Sequence, residues 1–153
     1  MNLYLILPES KKDSLSYISK NIFLKRIKSY VKTSILSFKP EKNGDVSFKQ
    51  SKDEQKILKL VPKESRLIVC DESGLSLNTK KLLSKIEVLA EQKSSLVFVI
   101  GGPYGLSQNL KKRADLIIKL SDLTMNSDLA SAVLWEQLYR IFSLRAGHPY
   151  HND

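Results

Sequence analysis

Three glycines fall within five residues at Gly101-Gly102-Pro103-Tyr104-Gly105, directly after an apolar run from Leu96 to Ile100. The run has the length and β-branched content of a strand buried on both faces. Glycines placed there let the backbone turn tightly and approach a bound molecule. In open α/β sheets ligands sit beyond the carboxyl ends of strands, which makes this loop the first candidate site. It is not a P-loop, since no Lys-Ser/Thr pair ends it, and it is not the Gly-x-Gly-x-x-Gly of a dinucleotide fold. The plainer alternative is a tight strand-to-helix turn with no ligand.

A second concentration of chemistry closes the chain, His148-Pro149-Tyr150-His151-Asn152-Asp153, and includes both histidines of the sequence. Histidine exchanges a proton near neutral pH, and tyrosine can stack on a base or donate a hydrogen bond. His148 reads as a turn residue before Pro149, while His151 stays open between a functional and a bland role. Upstream, the spacing of four puts Glu136 and Arg140 on one helical face. An exposed pair of that kind contributes only about 0.2–0.5 kcal/mol, whereas a buried Glu136 would need Arg140 as its partner. No paired carboxylates, Ser-His-Asp set or metal-ligand spacing occurs, so hydrolytic and metal-dependent readings have little support.

These residues must be held by elements, and the hydrophobic pattern supplies them. Residues 3–7 read as a first strand closed by Pro8, followed by an amphipathic helix through Leu15, Ile18, Ile22, Phe23, Ile27, Tyr30 and Val31. Residues 33–38 form a second strand, 39–51 a polar loop, and 55–60 a short helix before Pro62. A third strand, 67–70, ends in the turn chemistry of Asp71-Glu72-Ser73-Gly74. Leu82, Leu83, Ile86, Leu89 and Ala90 then share a helical face, with Asn78 or Thr79 as N-cap. Ser107 caps a short helix to Ala114, and 116–120 is a fifth strand. A polar turn, 121–127, leads to a last helix striped with Leu129, Ala132, Val133, Trp135, Tyr139 and Phe142 and ending near Gly147. Strand alternating with helix predicts an α/β fold with a mostly parallel sheet and helices on both faces, in one domain over 1–153. Parallel strands with a right-handed crossover would open the loops after Cys70 and Ile100 at the same sheet edge.

Composition narrows the setting. With 153 residues and 42% hydrophobic content the chain is an ordinary size for one core. The first apolar run is too short to cross a membrane and lacks a signal peptide's flanks, which predicts a cytoplasmic protein with no membrane partner. A single cysteine, Cys70, excludes an intramolecular disulfide and a cysteine-rich zinc site, and no metal is expected. The formal charge of +9 is concentrated in the first half, and Lys20, Lys25, Arg26, Lys28, Lys32 and Lys39 occur with no acid among them. Such a face suits phosphates, or simply keeps the surface solvated.

Four separated stretches, Phe98 to Ser107, Leu120-Ser-Asp-Leu-Thr-Met125, Glu136-Gln-Leu-Tyr-Arg140 and His148-Pro-Tyr-His151, together resemble the ribosomal RNA large-subunit methyltransferase H family of small SPOUT-class enzymes. The likeness is close over the last third of the chain and weak at the N-terminus. It implies a C-terminal trefoil knot, an exception to the usual absence of knots. It also implies a homodimer that binds S-adenosylmethionine in the knot and methylates N3 of a pseudouridine in 23S ribosomal RNA of the assembled ribosome. By position, the cofactor residues are Cys70, Gly102, Ser121, Asp122, Leu123, Thr124, Met125 and Asn126. Tyr150 and His151 approach the RNA base, with His151 to orient it or accept its proton, in the partner subunit's site. Lys25, Arg26, Lys28 and Arg140 are the candidate RNA contacts.

Three departures stand out. Where the family commonly opens the last helix with Pro-His-x-x-x-Arg, this chain has Asn126-Ser127-Asp128-Leu129-Ala130-Ser131, without the histidine and arginine. Asn152 replaces a usual arginine or lysine, and Cys70 a usual aliphatic residue. Lost cations weaken RNA contacts or alter the dimer interface, which leaves a catalytically weak or inactive ribosome-binding factor of the same fold as the alternative.

Overall fold

The computed structural model describes residues 1–93 and 95–152. Strands β1 (Asn2–Pro8), β2 (Lys32–Phe38), β3 (Ser65–Ser76), β4 (Ser95–Ile100) and β5 (Leu116–Lys119) make one sheet in the order β2-β1-β4-β3-β5. Every pairing is parallel. Helices α1 (Leu15–Lys28), α2 (Val46–Leu60), α3 (Thr79–Gln92) and α4 (Gln108–Arg113) connect the strands, and α5 (Ser127–Arg145) follows the last.

The strands' period of two divides the core. Leu3, Leu5, Leu7, Leu96, Phe98 and Ile100 face one side, where Ile27 of α1, Ile86 of α3 and Trp135 of α5 cover them. Ile6, Val97 and Val99 face the other and meet Ile57 of α2 and Leu110 of α4. Central β4 is buried at every residue, as its apolar run required. Because all strands run the same way, the loops that follow β1, β3, β4 and β5 emerge at one edge.

Two elements are longer than the pattern predicts. The expected loop 39–51 gives way to helix at Val46, because Asp45 caps it by accepting from the Phe48 amide at 2.8 Å. The helix is amphipathic only in its second half, so hydrophobic periodicity missed its first turns. Likewise β3 continues through the expected turn to Ser76. A register shift between Cys70 and Leu75 resumes pairing at Leu75↔Ile118. Gly74 serves close approach rather than a turn: a Cβ there would lie 2.5 Å from the Ile118 carbonyl carbon. On α5 the buried apolar residues are Leu134, Trp135, Leu138, Tyr139, Ile141 and Phe142, while Leu129 is exposed, so the expected stripe was placed too far toward the N-terminus.

Candidate active site

The loops at the carboxyl edge enclose a cavity of about 560 Å³, the size of a small-molecule site. Its walls come from the segment between Pro8 and Ser16 after β1, Cys70 to Glu72 on β3, the glycines of the glycine loop, the turn after β5, and the first turns of α5. Six of the eight expected cofactor residues line it from three separate segments: Cys70 on β3, Gly102 in the glycine loop, and Ser121, Leu123, Met125 and Asn126 in the turn after β5. Leu123 lines the rim and is largely exposed. Asp122 and Thr124 are exposed and do not line the cavity, and Asp122 turns to Lys119, 2.6 Å away.

Close packing explains the glycines. A Cβ on Gly101 would sit 2.8 Å from Leu106 Cγ, and one on Gly102 would meet Pro40 Cβ at 3.0 Å and Asp53 Oδ2 at 3.2 Å. Gly105, at φ 75°, takes the left-handed turn. Asp53, buried on α2, accepts from the Glu41 amide at 2.8 Å and so ties the loop carrying Pro40 beneath Gly102. Burial pushes its carboxyl above the usual range.

On β3, burial and then the neighbouring Asp71 push the Cys70 thiol up to about 12, so it lines the cavity as a small neutral group and not as a nucleophile. Burial works against the Asp71 carboxylate, yet donation from Ser73 and Lys111 outweighs it and holds the carboxyl below its ordinary value.

The opposite wall depends on the acid that directly follows Asn126-Ser127 in the sequence. Asp128, in the first turn of α5, accepts from the Leu15 amide at 2.9 Å and the Ser16 amide at 3.0 Å. The Ser14 side chain accepts from the Tyr17 amide, so three amides at the start of α1 are satisfied. A carboxylate at that end also meets the positive pole of the helix. Ser131, where an arginine is usual, is buried and donates to the Ser127 carbonyl at 2.8 Å. The two walls are joined without the absent histidine and arginine. An acid one residue after a helix-capping Asn-Ser was the only signal, and its partner 113 positions earlier could not be read.

The tail folds back on α5 outside the cavity. Tyr150 packs on Tyr139 with ring centroids 4.5 Å apart and donates to Glu136 Oε1 at 3.2 Å. Arg140 donates to the same oxygen through Nε at 2.9 Å and Nη2 at 2.5 Å, and its guanidinium lies 4.8 Å from the Tyr150 ring centre. Gln137 donates to Glu136 Oε2, so Glu136 is a half-buried hub of an organised network, more than the simple helix pair the spacing allowed. Burial, followed by the Glu136 charge, raises the Tyr150 hydroxyl and keeps it a donor. Arg140 Nη1 lies 3.4 Å from His151 Nδ1. A guanidinium only donates, so a neutral His151 meeting it carries its proton on Nε2. Lys25, Arg26 and Lys28 are exposed in the last turn of α1, with Arg26 5.7 Å from the Tyr139 ring centre. None of these six residues lines the cavity.

Over residues 1–151 the chain matches the family model described as "Predicted SPOUT methyltransferase". The chain belongs to the SPOUT methyltransferase family. A relative from Syntrophotalea carbinolica, "Ribosomal RNA large subunit methyltransferase H", is 35% identical over 144 residues, 91% of this chain and 92% of its own. Relatives of the same name from Bdellovibrio bacteriovorus and Halothermothrix orenii are each 34% identical, covering 86% and 88% of this chain and 86% and 91% of their own. Membership of the SPOUT family agrees with the five-stranded parallel sheet flanked by helices. Among the described residues no helix is long and apolar enough to cross a membrane, and no group of three or more His, Cys, Asp or Glu could hold a metal ion.

Proposed function

We propose that the protein is an S-adenosylmethionine-dependent methyltransferase that methylates N3 of a pseudouridine in 23S ribosomal RNA of the assembled ribosome, as a cytoplasmic homodimer with a knotted C-terminal segment. The name shared by its relatives supports the RNA class. The observation that carries the reading is the division of labour between a ligand-sized cavity framed by the glycine loop and an aromatic, cationic tail held outside it.

The residues present fit the cofactor. Gly101 and Gly102 leave backbone bare where a Cβ would collide, Leu120, Leu123 and Met125 offer apolar surface, and Glu9, Asp13, Glu72 and Asp71 give the cavity an anionic lining compatible with a sulfonium. Bound there, S-adenosylmethionine supplies an electrophilic methyl group. Cys70, Gly102, Ser121, Leu123, Met125 and Asn126 would hold it, with Asp122 and Thr124 shaping the turn. Methyl transfer requires in-line approach, so the protein's work is chiefly positioning. Tyr150 offers a ring and a hydroxyl to the base. His151 presents an Nε2 donor that orients it, and turning away from Arg140 would free Nδ1 to accept the N3 proton. Lys25, Arg26, Lys28 and Arg140 would hold phosphates.

Glu136, the tail's anchor, is five residues beyond cavity-lining Ser131, about 7.5 Å of helical rise. The resemblance to the family's dimers implies that the tail serves the partner's cavity, a reading supported by its place outside the cavity of its own chain, and the exposed Leu15, Ile18 and Ile22 on α1 suit burial by a second copy. Mixed dimers test this. Gly102→Val and His151→Ala subunits, each inactive alone, regain about a quarter of full ribosome methylation when combined, since half the dimers then contain one intact composite site. No recovery would overturn the trans arrangement. Absence of methyl transfer to ribosomes by the folded, cofactor-binding native protein would favour the ribosome-binding factor instead.

A further inference from the structure

The sequence holds one tryptophan, six tyrosines and five phenylalanines, and among the described residues only Phe48 and Tyr104 are exposed, at 46% and 47%. Phe48 is in the first turn of α2, and Tyr104 is in the glycine loop between cavity-lining Pro103 and Gly105 without itself lining the cavity. Lys49, the next residue after Phe48, places its ammonium 3.9 Å from the Tyr104 ring centre, and Gln50 Nε2 donates to the Tyr104 carbonyl at 2.7 Å. Lys52 lies 5.5 Å from the Phe48 ring centre. Gly44 lets that ring fold back on the turn, since a Cβ there would be 2.5 Å from Phe48 Cδ1. Neither Lys49 nor Lys52 has a carboxylate partner among the described residues.

We infer that Phe48 and Tyr104, with Lys49 and Lys52, form a stacking platform for an unpaired RNA segment next to the methylated nucleotide. This rests on the ribosomal RNA reading above and adds a surface distinct from α1 and the tail. Half-exposed rings beside ammonium groups that have no carboxylate partner among the described residues match single-strand binding, where bases stack on aromatic faces and cations follow the backbone. A protein partner fits less well, because lysine is depleted in protein interfaces. Closeness to the glycine loop lets the platform fix the strand's path while the tail of the other subunit holds the target base.

The test uses the full-length protein and ribosomes lacking the modification. Phe48→Ala and Tyr104→Ala each weaken ribosome binding about 5- to 100-fold, the cost of losing a stacked base. Phe48→Trp and Tyr104→Phe retain it, and all four variants bind S-adenosylmethionine as the native protein does, which checks folding. Lys49→Gln and Lys52→Gln each flatten the salt dependence by about 0.7 in log-log slope. Ultraviolet cross-linking followed by mass spectrometry finds nucleotide adducts on Phe48 or Tyr104 peptides. Native affinity in both alanine variants, or cross-links from these peptides to ribosomal protein alone, overturns the platform while leaving the methyltransferase reading standing. Failure of the native protein to bind ribosomes at all overturns both.

Discussion

The cavity and the tail surface of α5 are built on opposite principles. The cavity is a backbone structure: parallel strands bring their loops together, glycines remove side chains where chains approach, and buried Asp53 and half-buried Asp128 fasten the walls through main-chain amides. The tail is a side-chain structure, in which Tyr150, Arg140, Gln137 and Glu136 satisfy one another on a partly exposed helix face. A backbone cavity is rigid and tolerates little substitution. A surface network tolerates substitution in the fold but not in the chemistry it performs.

The sharpest division comes from Gly102→Val against His151→Ala. The first must displace Pro40 and Asp53, at about 1–3 kcal/mol of overpacking, and is expected to abolish measurable cofactor binding by calorimetry and to lower the melting temperature. The second leaves cofactor affinity and melting temperature unchanged yet slows methylation by about 10²- to 10⁴-fold. Equal effects on affinity would erase the distinction between the regions.

Asp128→Ala is the next largest. Losing both amide contacts costs about 1–2 kcal/mol in stability and accelerates hydrogen exchange at residues 9–16, with weaker cofactor binding. Asp128→Asn, which keeps an acceptor but loses the charge, falls between. Unchanged exchange would show that α1 and α5 hold the wall without this cap.

Asp71→Asn gives the smallest effect and tests the acidic side of the cavity. A carboxyl held low in the folded state stabilises the protein above its unfolded pKa of about 4, and that contribution disappears as the pH falls through the lower folded value. Melting temperatures recorded across the acid range therefore fall less steeply in the variant. An unaltered acid limb would mean that the Ser73 and Lys111 contacts add nothing in solution.

Much of this architecture was readable. The buried run before Gly101, the caps Asn78 and Ser107, and the helix end near Gly147 all lie where periodicity and turn chemistry put them. The first turns of α2 were not, since Asp45 and Gly44 read equally as loop residues, and β3 passes through Asp71 to Gly74 because β5 lies against it. At the site, the glycine loop and the 121–126 turn could be named in advance, but not which members of the turn line the cavity. Asp53 fell between the expected loop and the expected helix and Asp128 looked like an ordinary polar residue opening a helix, because what distinguishes each is an amide elsewhere in the chain.

By itself the sequence determined the α/β order, the buried central strand, the glycine loop after it and the composition of the tail, because these rest on local spacing, propensity and steric freedom. Only the tertiary structure decided that Asp128 fastens α1 to α5, that Asp53 lies beneath Gly102, that Lys49 and Gln50 meet Tyr104, and that the tail docks outside its own cavity. Those are contacts between distant segments, fixed by how the sheet and helices pack in three dimensions.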